Sequence, residues 1–321
     1  MSNVDAAEGT AAQLSGRAGR GPVARRSPHR AIRGWRAFIW VIPGLLLIAV
    51  FVYYPLLKNI YLSFFQWSVF QPTPKFVGGV NYAQAAADPI FWRSLFNNVA
   101  YAVVSLVFQV VGALALAALV ETYVRRYGGI LRAIYFIPSA ISLTVAGLLF
   151  YFIYQPQTGL LNEFLRILGL GQFAQAWVGQ ESTAIWGIIV MSQWQSFGYT
   201  TLLYSVAIQR IPRELYDAAD IDGVGPLGRI WHITTPLVRE MSTLLIIVTV
   251  TGAFQVFNEV MVMTAGGPNN SSQVLGTWLY HAGFINNEFG YAAAIATVVF
   301  LITTLLAVGQ LWVSRRRRVE W

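Results

Sequence analysis

The chain has 321 residues, of which 56% are hydrophobic and only 11% are charged, and its formal net charge is +8. Soluble domains average about 25% charged residues, so a chain this long and this poor in charge is predicted to be a polytopic membrane protein. It has no cysteine, which excludes disulfides, thiolate nucleophiles and cysteine-ligated metals. Eleven of the 22 Lys and Arg lie in terminal patches beside apolar segments, a topology signal rather than a sign of nucleic-acid binding.

Residues 1–36 are predicted to be a disordered, basic cytoplasmic tail. They are rich in Ala, Gly, Arg and Ser, and seven arginines lie between Arg17 and Arg36. No apolar stretch followed by a small-residue cleavage site occurs there, so the segment is not interpreted as a secretory signal.

Six segments are apolar over the roughly 20 residues that a helix needs to cross a bilayer. Only the fifth contains a charged residue, Glu259, and two contain a proline, which a helix bundle tolerates. The sequence therefore predicts an all-α polytopic membrane protein with a six-span domain over residues 37–313. The predicted spans are Ala37–Leu57, Val99–Val120, Ala133–Tyr154, Ala184–Ile208, Met241–Ala265 and Tyr291–Val313.

The distribution of Lys and Arg predicts the orientation of these spans. Eighteen of the 22 basic residues lie in the two tails and in the loops after the second and fourth spans, whereas the other three loops hold four. Because basic residues concentrate on the cytoplasmic side, both termini are predicted to be cytoplasmic, including the basic tail of residues 314–321.

The second cytoplasmic loop, residues 209–240, is predicted to form a stiff helical hairpin. Pro212 begins a first helix, Gly223 ends it, and Pro226 begins a second helix whose apolar residues recur at helical spacing.

Charge in the hairpin distinguishes two possible partners. Two i,i+4 ion pairs, Arg210–Glu214 and Arg213–Asp217, are expected to stiffen the first helix. An amphipathic loop lying on lipid headgroups is one alternative, and it would favour an excess of Lys and Arg. Residues 209–240 instead hold five acids and four bases, so docking to a protein fits better.

The hairpin resembles the EAA loop of ABC importer permeases. The family pattern is Glu-Ala-Ala, three residues, Gly, nine residues and Ile-x-Leu-Pro, and the matching residues here are Asp217, Ala218, Ala219, Gly223, Ile233 and Pro236. Asp217 replaces Glu and keeps its charge. Thr235 replaces Leu and loses apolar docking surface.

Other motifs extend the resemblance to roughly Phe38 to Trp312. Residues 263–268, Met-Thr-Ala-Gly-Gly-Pro, look like the Leu-Thr-x-Gly-Gly-Pro element of carbohydrate importers, and residues 77–82 and 88–92 are similar to that branch. The chain thus resembles the permease subunit of a maltose-type, binding-protein-dependent ABC sugar importer, in its compact six-span form. The resemblance implies the type I importer permease fold and a bacterial inner membrane.

In that family the first helix of the loop seats in a cleft of a cytoplasmic ATPase. The resemblance implies two ATPase subunits, a second homologous permease and an extracytoplasmic solute-binding protein. No Gly-rich phosphate loop occurs in this chain, so ATP and Mg²⁺ are expected to bind the ATPase subunits, with no cofactor in this chain. The implied coupling residues are Glu214, Leu215, Asp217, Ala218, Ala219, Gly223, Ile233 and Pro236.

Polar residues within spans are candidates for a substrate path. Gln193, Trp194 and Gln195 lie in the fourth span, and the two glutamines are about 200° apart on a helix, so only one is expected to face a cavity. The alternative is that they bond to neighbouring helices.

Gln255, Asn258 and Glu259 are predicted to line the outer part of the path, although Glu259 could instead simply face water. Amides and carboxylates suit the hydroxyls of a neutral carbohydrate. No predicted span holds a Lys or Arg, which argues against an anionic cargo such as a sugar phosphate unless the partner permease supplies the positive charge. The alternative is that the same machinery imports glycerol phosphate or another small non-sugar solute.

Two other classes of protein fit less well. A membrane enzyme needs a nucleophile or an acid–base pair, and the spans offer only Glu259. A channel working alone would leave the hairpin without a purpose. The chain is therefore expected to be a non-catalytic transport subunit.

Overall fold

A computed structural model describes residues 34–71 and 73–315 of the chain. The predicted tail of residues 1–36 lies almost wholly outside the described residues, as does that of residues 314–321. The chain divides into two compact units, of which the first ends at Pro55 and the second begins at Leu56. Helix α1 (Gly34–Ile48) and a π-helical turn (Ala49–Tyr53) belong to the first unit.

In the described part of the second unit, the regular secondary structure is helical apart from two short antiparallel strands, in which Phe65 lies opposite Phe76. The strands are β1 (Phe65–Gln66) and β2 (Lys75–Phe76). Its helices up to the hairpin, with α2 starting at the unit boundary, are α2 (Tyr54–Leu62), α3 (Val80–Ala87), α4 (Pro89–Ser105), a π-helical segment (Leu106–Gly112), α5 (Ala113–Tyr123), a 3-10 turn (Arg125–Tyr127), α6 (Gly128–Ala140), α7 (Leu143–Ile153), α8 (Leu160–Ile167), a 3-10 turn (Gly171–Phe173) and α9 (Ala184–Ile208).

The hairpin and the helices that follow it complete the described chain. They are α10 (Arg213–Ile221), α11 (Pro226–Arg229), a π-helical turn (Ile230–Thr234), α12 (Thr235–Leu237), α13 (Arg239–Ala253), α14 (Asn258–Met263), α15 (Leu275–Tyr280), a π-helical turn (His281–Ile285) and α16 (Phe289–Arg315).

Among the described residues, three uninterrupted helices are long and apolar enough to cross a membrane: Ile39–Leu62, Pro89–Thr122 and Phe289–Val313. They contain or overlap the first, second and sixth predicted spans. The second begins at Pro89 rather than Val99, because Asp88 caps the helix by accepting a 2.8 Å hydrogen bond from the Ile90 amide and Pro89 occupies its first turn.

The predicted third and fifth spans are not single helices. Helices α6 and α7 are bent by 91° at residues 141–142. Helix α13 ends at Ala253 and α14 starts only at Asn258, so the predicted continuous span Met241–Ala265 is wrong. Hydropathy measures composition, and it does not detect where buried side chains take over the hydrogen bonds of an interrupted helix.

Helix α9 has the bounds predicted for the fourth span and lies at the centre of the second unit. It packs against α4, α5, α6, α7, α13 and α14. It is long enough to cross a membrane, but its polar residues make it less apolar than the three helices above. At Gly198 an added Cβ would stand 1.8 Å from the Tyr135 carbonyl oxygen, so only glycine allows α9 and α6 to approach this closely.

Candidate functional site

A cavity of about 470 Å³ lies among α4, α9, α13 and the segment that interrupts the fifth span. Gln195, Gln255, Asn258 and Glu259 are among its lining residues, so the structure brings together four of the six predicted path residues. Gln255 falls in the interruption and Asn258 opens α14, which brings polar groups to the cavity from a segment without regular helix. Irregular backbone at membrane depth is tolerated where it lines a cavity.

Glu259 is buried in the wall of this cavity, with 4% of its surface exposed. The Tyr101 hydroxyl donates a 2.7 Å hydrogen bond to its Oε1 atom and also contacts the Ser192 hydroxyl. The contact joins α4, α9 and α14. The alternative in which Glu259 stands in open water is therefore wrong.

Gln193 and Trp194 do not line the cavity. Gln193 is 5% exposed, accepts a 2.9 Å hydrogen bond from the Gln109 amide and donates a 3.0 Å bond to the Ser105 hydroxyl. The Trp194 ring packs against Phe150, with 5.1 Å between ring centroids. Both residues thus hold α9 against its neighbours, as the alternative interpretation had it.

Gln195 is the glutamine of the fourth span that faces the cavity. Its Nε2 donates a 3.1 Å hydrogen bond to the Ile141 carbonyl, at the bend between α6 and α7. The Ser139 hydroxyl donates a 2.7 Å bond to the Gln195 carbonyl and accepts a 3.0 Å bond from the Tyr199 amide. The bend is therefore fixed against α9 by side-chain hydrogen bonds.

Two neighbouring amides of α4, which are not among the candidate residues named from the sequence, hold the end of α13 and the segment that leads into α15. Asn98 donates to the Ala253 carbonyl (2.7 Å) and accepts from the Leu275 amide (2.8 Å). Asn97 donates to two carbonyls of the loop before α15, those of Ser271 and Gln273, at 2.8 Å each. Two adjacent polar residues inside an apolar helix are the signal that could have identified them.

Asp88, the first residue of the motif at residues 88–92, also has a structural role. Besides capping α4, its Oδ2 atom accepts hydrogen bonds from the Trp278 indole (2.8 Å) and the Tyr291 hydroxyl (2.6 Å). One carboxylate thereby joins α4, α15 and α16. The Asp-Pro pair is a helix-start signal in the sequence.

The Gly-Gly-Pro element forms a tight turn after α14. Gly266 has φ +87°, and an added Cβ would stand 2.2 Å from the Gln273 side chain, so glycine is required there. The Thr264 and Ser272 hydroxyls are 2.8 Å apart across the turn.

The structure contains the predicted hairpin, and Pro212, Gly223 and Pro226 mark its helix boundaries as predicted. Helix α10 starts after Pro212, Gly223 has φ +69°, and Pro226 opens α11. Of the predicted coupling residues, Ala219 is buried and Ile233 is half-buried, whereas the exposed ones are Glu214, Leu215, Asp217, Ala218, Gly223 and Pro236.

The hairpin is braced differently from the prediction. Neither expected pair, Arg210–Glu214 or Arg213–Asp217, is among the ion pairs of the described residues. Instead Arg229 of α11 pairs with Asp220 of α10 across the turn and donates a 2.9 Å bond to the Val224 carbonyl. Contacts between the two helices stiffen the hairpin as a unit, which pairs within one helix cannot do.

A second contact closes the hairpin near its base. The Tyr216 and Thr234 hydroxyls are 2.9 Å apart, and Thr234 is 1% exposed. The backbone amide of Val224 also donates to the Ala219 carbonyl at 2.9 Å, which closes the end of α10.

Solved structures share this fold. The crystal structure of a bacterial ABC transporter involved in the import of the acidic polysaccharide alginate has a chain that matches with a TM-score of 0.78 and 21% identity. The match covers 89% of this chain and 97% of that one. The protein therefore has the type I ABC importer permease fold.

Sequence comparisons agree. The family described as the inner membrane component of binding-protein-dependent transport systems matches residues 109–319. The probable ABC transporter permease YurN of Bacillus subtilis (strain 168) is 48% identical, over 85% of this chain and 94% of its own length. The lactose transport system permease LacF of Rhizobium radiobacter is 32% identical, over 89% and 95% respectively. The chain therefore belongs to the family of multi-pass, inner-membrane permeases of binding-protein-dependent ABC transport systems.

Proposed function

We propose that this chain is the transmembrane subunit of an ATP-driven carbohydrate importer. The observation that carries the proposal is the cavity, whose wall presents amides and hydroxyls beside the aromatic rings of Tyr101, Tyr199 and Phe257. Such groups suit a hydroxyl-rich ligand with apolar ring faces. Named relatives that transport lactose and arabinooligosaccharides support the same substrate class.

The subunit itself is non-catalytic, and its energy comes from partners. Two cytoplasmic ATPases bind ATP and Mg²⁺, a second permease completes the path, and an extracytoplasmic binding protein delivers the cargo. With both termini in the cytoplasm, the hairpin lies on the ATPase side. Its eight coupling residues and the Asp220–Arg229 brace suit a rigid connection.

Transport then proceeds by alternating access. Closure of the ATPases moves the hairpin, the helices rock, and the cavity becomes accessible to the binding protein. Hydrolysis reverses the movement. A stiff hairpin matters because a compliant one would absorb the displacement.

An anionic cargo such as glycerol phosphate is the less favoured alternative. Among the described residues that line the cavity there is no Lys, Arg or His, whereas Glu259 is present. A phosphate would approach a buried carboxylate without a compensating positive charge, which costs free energy.

Reconstitution tests the proposal. Proteoliposomes containing this chain, its partner permease and both ATPases are expected to accumulate carbohydrate from the loaded binding protein only when ATP is present. Entry that only equilibrates the carbohydrate across the membrane, and that needs neither the ATPases nor ATP, would indicate a channel instead. Accumulation of glycerol phosphate in place of carbohydrate would establish the alternative cargo.

A further inference from the structure

Glu259 is a buried acid without a basic partner. Its side chain is 4% exposed, the Tyr101 hydroxyl bonds only its Oε1 atom, and none of the three ion pairs in the described chain includes it. Burying a carboxylate is costly unless a positive group accompanies it. The described residues supply none, so a positive group that pairs with Glu259 would come from the cargo or from another subunit.

The cavity beside Glu259 has the lining that an ammonium group requires. An ammonium carries three N–H donors and needs acceptors for all of them. Gln195, Gln255 and Asn258, whose side-chain amides each contain an acceptor oxygen, line the same cavity. The ring of Phe257 also lines it, and aromatic faces attract cations.

We propose that the cargo is a carbohydrate that bears a protonated amine, whose ammonium group pairs with Glu259 while its hydroxyls bond to the surrounding amides. The inference rests on the proposed carbohydrate import and narrows its substrate class from the neutral sugar that the sequence suggested. An inorganic cation is the competing occupant, and among the described residues no group of three or more His, Cys, Asp or Glu could hold a metal ion.

A mixed-substrate uptake experiment tests this pairing. Cells expressing the complete importer with its binding protein receive an equimolar mixture of neutral, N-acetylated, amino and acidic mono- and disaccharides. Each sugar taken up is quantified by mass spectrometry and normalised to the assembled complex. The variants are Glu259→Gln, which keeps an acceptor for Tyr101 but removes the charge, Glu259→Asp, which keeps the charge, and Glu288→Gln, the same change at an exposed glutamate outside the cavity.

Wild-type cells are expected to take up amino sugars. Glu259→Gln should lower amino-sugar uptake at least about tenfold relative to any neutral sugar, as expected for loss of a buried charge pair. Glu259→Asp should restore part of that ratio, and Glu288→Gln should leave it unchanged.

Each result that contradicts the proposal has a different meaning. Uptake confined to neutral or acidic sugars, or an equal loss of every class in Glu259→Gln, overturns the amine inference while carbohydrate import stands. An equal loss together with dependence on Na⁺ or K⁺ assigns Glu259 to an inorganic cation. If no sugar enters with the wild-type complex, carbohydrate import fails and this inference fails with it.

Discussion

Asn98 illustrates how much one side chain can contribute to this fold. It is fully buried, and its amide supplies a donor to the end of α13 and an acceptor to the start of α15. Backbone groups at helix ends lack partners within their own helix. A single side chain of α4 thus supplies a partner to the last residue of α13, before the interruption, and to the first residue of α15.

Replacing Asn98 by Leu should destabilise the protein. The volume is similar, but the Ala253 carbonyl and the Leu275 amide lose their partners, each worth about 1–3 kcal/mol when left buried and unpaired. Unfolding of the purified protein in detergent measures the effect. Asn286→Leu, at an exposed asparagine, is the control, and equal stability of the two variants would contradict this role of Asn98.

At the scale of elements, the sequence predicts a helix well where it is continuous. The bounds of α9 are those of the predicted fourth span, and the start and turn of the hairpin follow from Pro212, Gly223 and Pro226. The bends at residues 141–142 and 254–257 were missed, because their partners are residues such as Gln195 and Asn98 on other helices. The brace between Asp220 and Arg229 was missed for the same reason, since it joins two elements across a turn.

The contact between α6 and α9 yields a prediction. Gly198→Ala places a Cβ against the Tyr135 carbonyl and must push the helices apart, so a loss of about 1–3 kcal/mol or more is expected. Gly309→Ala is the matched control, since an added Cβ there meets nothing within 4 Å in α16. Thermal denaturation should rank Gly198→Ala well below Gly309→Ala. Equal midpoints of thermal unfolding for the two variants would show that α6 can shift away from α9 without loss of stability.

At the scale of the whole molecule, the cavity and the hairpin are the two features on which the proposed transport function rests. The cavity-lining residues Gln195, Gln255, Asn258 and Glu259 could be named from the sequence because polar groups are rare in apolar spans. The sequence could not show which glutamine of α9 faces the cavity, because this depends on the rotation of the helix against α4 and α6. In the structure, Gln195 lines the cavity and Gln193 does not.

Gly223 tests the connection to the ATPases. With φ +69° it cannot be replaced by proline, whose ring fixes φ near −65°. Gly223→Pro is expected to abolish copurification with the ATPase, or to uncouple ATP hydrolysis from the binding protein, while the protein still inserts. Gly225→Pro, at φ −66° in the same turn, should retain coupling. Normal binding-protein-stimulated hydrolysis by Gly223→Pro would count heavily against the hairpin's role.

The Asp88 carboxylate has a consequence for how such a molecule moves. Its three hydrogen bonds hold the start of α4, the indole of α15 and the first turn of α16 at fixed separations. The three bonded segments can move together as a rigid unit, but they cannot separate without breaking a hydrogen bond to the Asp88 carboxylate. A rocking transition that keeps these three hydrogen bonds would take up its displacement at contacts between other helices.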